Sequence, residues 1–188
     1  MENKFFKTAL SSSSVSANPE QPKMPFEKPE DFKEMKILGK EDEEKLKIFF
    51  RKAAEDPEIR KNFNAIPLND YMAKKICGAE HKRELFAAHA NENSFDGFVY
   101  IRPLHYPSHD PILSLFVDSE SQGKGIGNNL VRFVIEKSKE AGAKKLRLAV
   151  EKDNAAAQNL YKKNGFKIAG EVEGRNSFIY ELELETRE

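Results

Sequence analysis

The stretch Ile112-Leu-Ser-Leu-Phe-Val117-Asp-Ser-Glu-Ser-Gln122-Gly123-Lys124-Gly125-Ile126-Gly127 decides how this chain is organised. Its first six residues are apolar except for Ser114, the pattern expected of a strand buried on both faces and therefore central in a sheet. Its end places three glycines in five residues, where a helical pattern takes over with Leu130, Val134 and Ser138 at four-residue spacing. Such a turn suits an anion. Glycines let backbone N–H groups approach a ligand, and the helix start adds unpaired donors and the positive end of its dipole. The same glycines would also serve simply to shape a tight turn, so the turn alone names no ligand. Two nucleotide motifs fail here. A P-loop needs Gly-Lys followed by Ser or Thr, whereas Gly127 is followed by Asn128 and Asn129; Gly123, Gly125 and Gly127 give GxGxG rather than the dinucleotide GxGxxG.

Toward the C-terminus, Gly142 stops the helix and Leu146 to Val150 reads as a strand, made parallel to its predecessor by the crossover. Asp153 or Asn154 caps a further helix to about Lys163, Gly165 ends it, and Phe166 to Glu171 begins another strand. The last strand, Ser177 to Leu184, alternates Phe178, Tyr180, Leu182 and Leu184 with Ile179, Glu181 and Glu183, so one face is buried. Toward the N-terminus, Arg83 to Ala90 and Phe95 to Arg102 read as an antiparallel hairpin turning at Asn91 to Ser94 and ended by Pro103 and Pro107. Before it, Met35 to Leu38 reads as a strand. Helices follow: one bearing Leu46, Phe49, Phe50 and Ala53, then Glu58 to Phe63 and Asn69 to Ile76. A mixed sheet of this kind belongs to the α/β or α+β class.

The 188 residues suffice for one domain with a hydrophobic core. Residues 1–31, with the run Ser11 to Ser14 and Pro19, Pro22, Pro25 and Pro29, read as a disordered tail; its first ten residues faintly resemble a targeting peptide. The domain is expected over 32–188. Lysine and arginine number 31 against 31 aspartate and glutamate, so no basic excess draws the chain to nucleic acid. No apolar run approaches the roughly 20 residues that span a bilayer, and no membrane partner is expected. Cys77 is the only cysteine, which excludes an internal disulfide and a multi-cysteine zinc site and fits a reducing, cytoplasmic location. As a lone cysteine at a helix end it reads as a packed side chain rather than a nucleophile. No metal site is expected: His105 and His109 have ligand spacing on a helix, but Pro107 between them forbids one.

A second motif follows the next strand: Asn154, Ala155, Ala156, Ala157, Gln158, Asn159, Leu160, Tyr161, and after three residues Gly165 and Phe166. Asn154 and Tyr161 are seven residues apart, about two helical turns, and so share a side. Alone, Tyr161 reads as a boundary aromatic and Asn154 as a plain cap. Together with the turn, they resemble the GNAT family, the GCN5-related N-acetyltransferases, over roughly residues 35 to 185. Gln122, Gly125 and Gly127 match the family's turn pattern, and Asn154, Ala157, Leu160, Tyr161, Gly165 and Phe166 match its second signature without a gap.

The resemblance implies a mixed central sheet of about six to seven strands with helices on both faces, and an acetyl-CoA-dependent N-acyltransferase. Acetyl-CoA, the acyl donor, would lie where two central parallel strands splay apart. Its pantetheine arm would pair with the backbone of Leu115, Phe116 and Val117, and its pyrophosphate would rest on Gln122, Gly123, Lys124, Gly125, Ile126 and Gly127. Asn154 would contact the pantetheine arm. Tyr161 would protonate the leaving thiolate, and the Val117 N–H would meet the carbonyl oxygen. The acceptor, a small-molecule amine or a peptide or protein amine, would attack directly. A monomer or homodimer is expected. Many family members carry a glutamate on the central strand, and Ile112 to Val117 has none; Glu84, His105, His109 and Asp110 are the candidate bases. That missing carboxylate motivates an alternative, a catalytically silent CoA-binding regulatory module of the same fold. Glu41, Asp42, Glu43 and Glu44 would suit a cationic acceptor, but acids in a first helical turn also stabilise the helix by themselves.

Overall fold

The computed structural model describes residues 32–78, 84–103 and 110–184; the expected tail, residues 1–31, lies outside them. In chain order the elements are β1 (Met35–Ile37), α1 (Glu43–Glu55), α2 (Pro57–Asn62), α3 (Asp70–Gly78), β2 (Leu85–Ala90), β3 (Phe95–Arg102) and β4 (Ile112–Val117). Then come α4 (Ile126–Glu140), β5 (Lys145–Glu151), α5 (Ala155–Lys163), β6 (Lys167–Glu171) and β7 (Ser177–Glu183). The strands form one seven-stranded sheet in the order β1-β2-β3-β4-β5-β7-β6. All neighbours are antiparallel except β4 and β5, joined in parallel by the α4 crossover.

The sheet divides two cores, as its two-residue side-chain alternation requires. On one face α1, α2 and α3 bury Leu46, Phe49, Phe50, Ile59, Phe63 and Ile76 against Phe86, Phe98, Tyr100 and Phe116. The packing is largely aromatic: Phe116 stacks on Phe49 at 5.4 Å and meets the edge of Phe63 at 4.8 Å. On the other face α4 and α5 bury Leu130, Val134 and Tyr161 against Val99, Ile101, Leu113, Leu146, Leu148 and Tyr180. Local chemistry sets the helix ends. Asp56 caps α2, its Oδ1 accepting from the N–H groups of Glu58 (2.8 Å) and Ile59 (3.1 Å), with Pro57 supplying the fixed φ that starts a helix. Gly142 stops α4 at φ 75°.

One expectation is corrected. β4 is central by position, fourth of seven, yet Ile112, Ser114, Leu115 and Val117 are only partly buried; the strands covered on both faces are β2 and β3. The cause is that β5 leaves β4 after a single registered pair, Ile112 with Arg147, whereas β3 and β4 pair along all six residues.

Candidate active site

The divergence of β5 from β4 opens a cleft of about 300 Å³ that passes through the sheet. Beside the strands, its lining on the α1–α2 side includes Asn62, Phe63, Asn64 and Arg102, and on the α4–α5 side Ala157, Leu160 and Tyr161. Hydrogen-bond parity fixes which peptide groups of β4 look into the gap. The Asp118 N–H bonds Asp96 O on the β3 side, whereas Pro111 O accepts from Arg147 N on the β5 side. Strand peptides alternate, so Leu115 and Val117, beyond the last pair with β5, turn their N–H and C=O toward the opening. Phe116 does not: its peptide faces β3 and its ring is fixed in the aromatic core. Of the three residues expected to pair with a pantetheine arm, two therefore offer the edge. Leu115 lines the cleft with Tyr161, while Val117 stands at its outer end beside the glycine turn, its O receiving Gln122 Nε2 at 3.5 Å.

Gly123 and Gly125 adopt φ of 77° and 85°, and a Cβ on either would meet open space. Their backbone is thus a left-handed cradle that nothing among the described residues fills. Gly125 is the N-cap of the 15-residue α4, with no capping side chain and no acid in the first turn, so the helix's leading N–H groups keep their donors for an anion. Gln122 and Lys124 are exposed on the turn. Gly127 faces inward: a Cβ there would come within 3.2 Å of Leu160 Cδ2, so its lack of a side chain sets how closely α4 approaches α5. Ile126 is buried and anchors the turn to the core. The segment before the turn is tied down twice. Ser121 Oγ and Asn91 Nδ2 both donate to Asp96 Oδ1 at 2.9 Å, and Lys52 reaches Asp118 at 3.0 Å and Glu120 at 2.6 Å. Burial opposes the charge on Asp96, but donation from Asn91 and Ser121, with His89 and Lys124 nearby, holds its carboxyl below the usual range.

Asn154 caps α5, its Oδ1 accepting from the Ala157 N–H at 3.0 Å, and also lines the cleft. Capping commits the oxygen and leaves the amide donors for a ligand. Tyr161 is 6% exposed, lines the cleft, and packs against Phe166 and Tyr180. Burial pushes its hydroxyl well above the usual tyrosine range, so it holds its proton at neutral pH.

The base candidates fare differently. His105 and His109 lie outside the described residues. Glu84 Oε1 accepts from the Tyr100 hydroxyl at 2.9 Å, and Asp110 sits 3.6 Å from Arg147 Nε; neither lines the cleft. Among the described residues the acid that lines it is Glu151, at the end of β5, its Oε1 accepting from Ser177 Oγ at 2.9 Å. Alternation puts Leu146, Leu148 and Val150 in the α4–α5 core and Glu151 on the opposite face, near Lys61 of α2. Tyr161 and Glu151 thus approach the opening from opposite faces of the sheet. The acids Glu41, Asp42, Glu43 and Glu44 serve locally: the first two pair with Lys36 and the last two with Lys47. Among the described residues no group of side chains is arranged to hold a metal, and no helix is long and apolar enough to cross a membrane.

A parallel pair prised open beside a glycine turn, with Tyr161 in the gap, is the arrangement that the sequence resemblance implies. The sequence profile of the acetyltransferase (GNAT) family matches residues 38–166, and the chain belongs to that family. A thialysine N-epsilon-acetyltransferase from Bos taurus is 38% identical over 69 residues, 37% of this chain and 41% of that protein. The chain matches about 26 to 41% of the length of such curated relatives. Among solved structures, the GNAT domain of an S. lividans protein superposes with a TM-score of 0.70 at 16% identity, covering 80% of this chain and 89% of that one. An acetyltransferase from Salmonella typhimurium, solved with its cofactor acetyl-CoA, superposes with a TM-score of 0.57 at 18% identity, over 81% and 94% of the two chains.

Proposed function

We propose that the protein transfers the acetyl group of acetyl-CoA to an amine by direct attack. The observation that carries this reading is a buried, protonated Tyr161 in a cleft whose β4 edge is open and whose outer end meets the Gln122–Gly127 cradle. The turn and the first N–H groups of α4 would hold the pyrophosphate, with Lys124 adding charge, and the open peptides of Val117 and Leu115 would hold the pantetheine arm as an added strand. Acetyl-CoA supplies an activated acyl group on a good leaving thiol. Because Val117 stands at the pyrophosphate end and Leu115 beside Tyr161, the oxyanion donor is the Leu115 N–H rather than that of Val117. Glu151 takes the proton from the attacking nitrogen, directly or through water, and Tyr161 gives its own to the departing sulfur.

Replacing Tyr161 with Phe tests this. Amine-dependent thiol release should fall roughly 10- to 1,000-fold, the range of general acid catalysis, with acetyl-CoA affinity retained. Unchanged turnover would remove the acid role. The lack of an acid on β4, where Ser114 is the one polar residue, keeps a second reading open, a CoA-binding regulatory module; tight acetyl-CoA binding with no thiol release for any amine would establish it. We place the protein in the cytoplasm, with no nucleic-acid or membrane partner and an assembly no larger than a homodimer, a size that light scattering checks.

A further inference from the structure

On the acceptor side the cleft has a specific charge pattern. Among the described residues its lining carries one acid, Glu151, and two cations: Arg102 at the end of β3, and Arg175 on the turn between β6 and β7. Arg102 is held in place by Tyr100, whose ring lies 5.4 Å from the guanidinium carbon and whose oxygen it hydrogen-bonds; the Tyr100 hydroxyl in turn donates to Glu84 at 2.9 Å. A guanidinium has five N–H donors in a rigid fork, so the bond to Tyr100 orients the group without exhausting it. Arg102 is badly placed for the cofactor's phosphates. It pairs with Ile112 at the opposite end of β4 from the glycine turn, and Ile112 to Val117 alone spans about 17 Å of extended strand.

From these observations we infer that the acceptor is an amine carrying its own carboxylate, the nitrogen at Glu151 and the carboxylate on the Arg102 fork. This rests on the transferase reading. Glu151 lies four residues along β5 from Arg147, which pairs with Ile112 beside Arg102, so the two backbone positions are about 13 Å apart along the strands. Side chains reaching inward from both leave room for an elongated acceptor. The class is therefore an amino acid acetylated at an amine remote from its carboxylate, and not a polyamine or a lysine-rich peptide, whose second positive charge would face Arg102.

Amine-dependent thiol release from acetyl-CoA, measured on the full chain, compares 6-aminohexanoate and lysine with their carboxamides and with cadaverine. The carboxylates should be preferred in kcat/KM by roughly 10- to 100-fold, the scale of a charge-assisted bond. R102Q should bring that ratio to about one without changing acetyl-CoA affinity, and R102K should restore part of it. Equal use of acid and amide, or a preference that survives R102Q, overturns the inference. If acetyl-CoA binds but no amine releases thiol, the transferase reading fails separately. Calorimetry of 6-acetamidohexanoate against its carboxamide, with CoA present, then decides the anion site by itself: tighter binding of the acid supports it, and equal binding overturns it.

Discussion

In the proposed reaction Tyr161 and Glu151 would divide the proton chemistry, and their surroundings differ accordingly. Tyr161 is enclosed by Phe166 and Tyr180 and has its ionisation disfavoured by burial, so it keeps the proton that the proposed reaction would draw on. Glu151 reaches the gap from the wetter face, held by Ser177. An alkylamine with a pKa of about 10.4 is mostly protonated at neutral pH, so the loss of its proton acceptor has a pH signature. Glu151→Gln should lower kcat/KM roughly 100-fold at neutral pH. The deficit should shrink as pH rises toward the amine's own pKa, where free amine no longer needs a base. A deficit constant with pH would assign Glu151 a structural role only.

At the scale of elements, the β4–α4 turn leaves room for an occupant. Gly123 and Gly125 sit in the left-handed region with open space above them, and Asp96, through Ser121, fixes the chain that leads into them. Gly125→Ala would place a Cβ in that space and in a backbone region that costs an L-residue about 1 to 2 kcal/mol. We expect a melting temperature a few degrees lower and an acetyl-CoA KM raised roughly 10-fold, because the methyl stands where the phosphates approach. Steady-state kinetics beside a thermal melt separate the two effects; an unchanged KM would mean the turn only shapes the chain.

For the whole molecule, the separation of β4 from β5 sacrifices ladder hydrogen bonds in the middle of the sheet, and a ligand lying in the gap would restore some of them. Ligand binding to the folded state alone stabilises it by about 2.7 kcal/mol at 100 times Kd, so acetyl-CoA should raise the melting temperature by roughly 5 to 10 °C. ATP at the same concentration should leave it unchanged; an equal rise with ATP would reassign the turn to nucleotides.

What could be read from the sequence was what is local along the chain. The turn at Gln122 to Gly127, the cap at Asn154 and the helical spacing to Tyr161 depend on residues a few positions apart, where backbone geometry ties sequence to shape. The order of strands and helices followed from the same short-range periodicities. The burial of β4 was not legible, because apolar side chains read alike whether they face a core or a vacant gap, and only the departure of β5 distinguishes them. Nor were Glu151 and Arg102 legible as partners. They lie on separate strands 49 positions apart. Residue alternation assigns both to one face only once the strands are paired, and the sheet's pairing, register and splay decide that both side chains reach one opening.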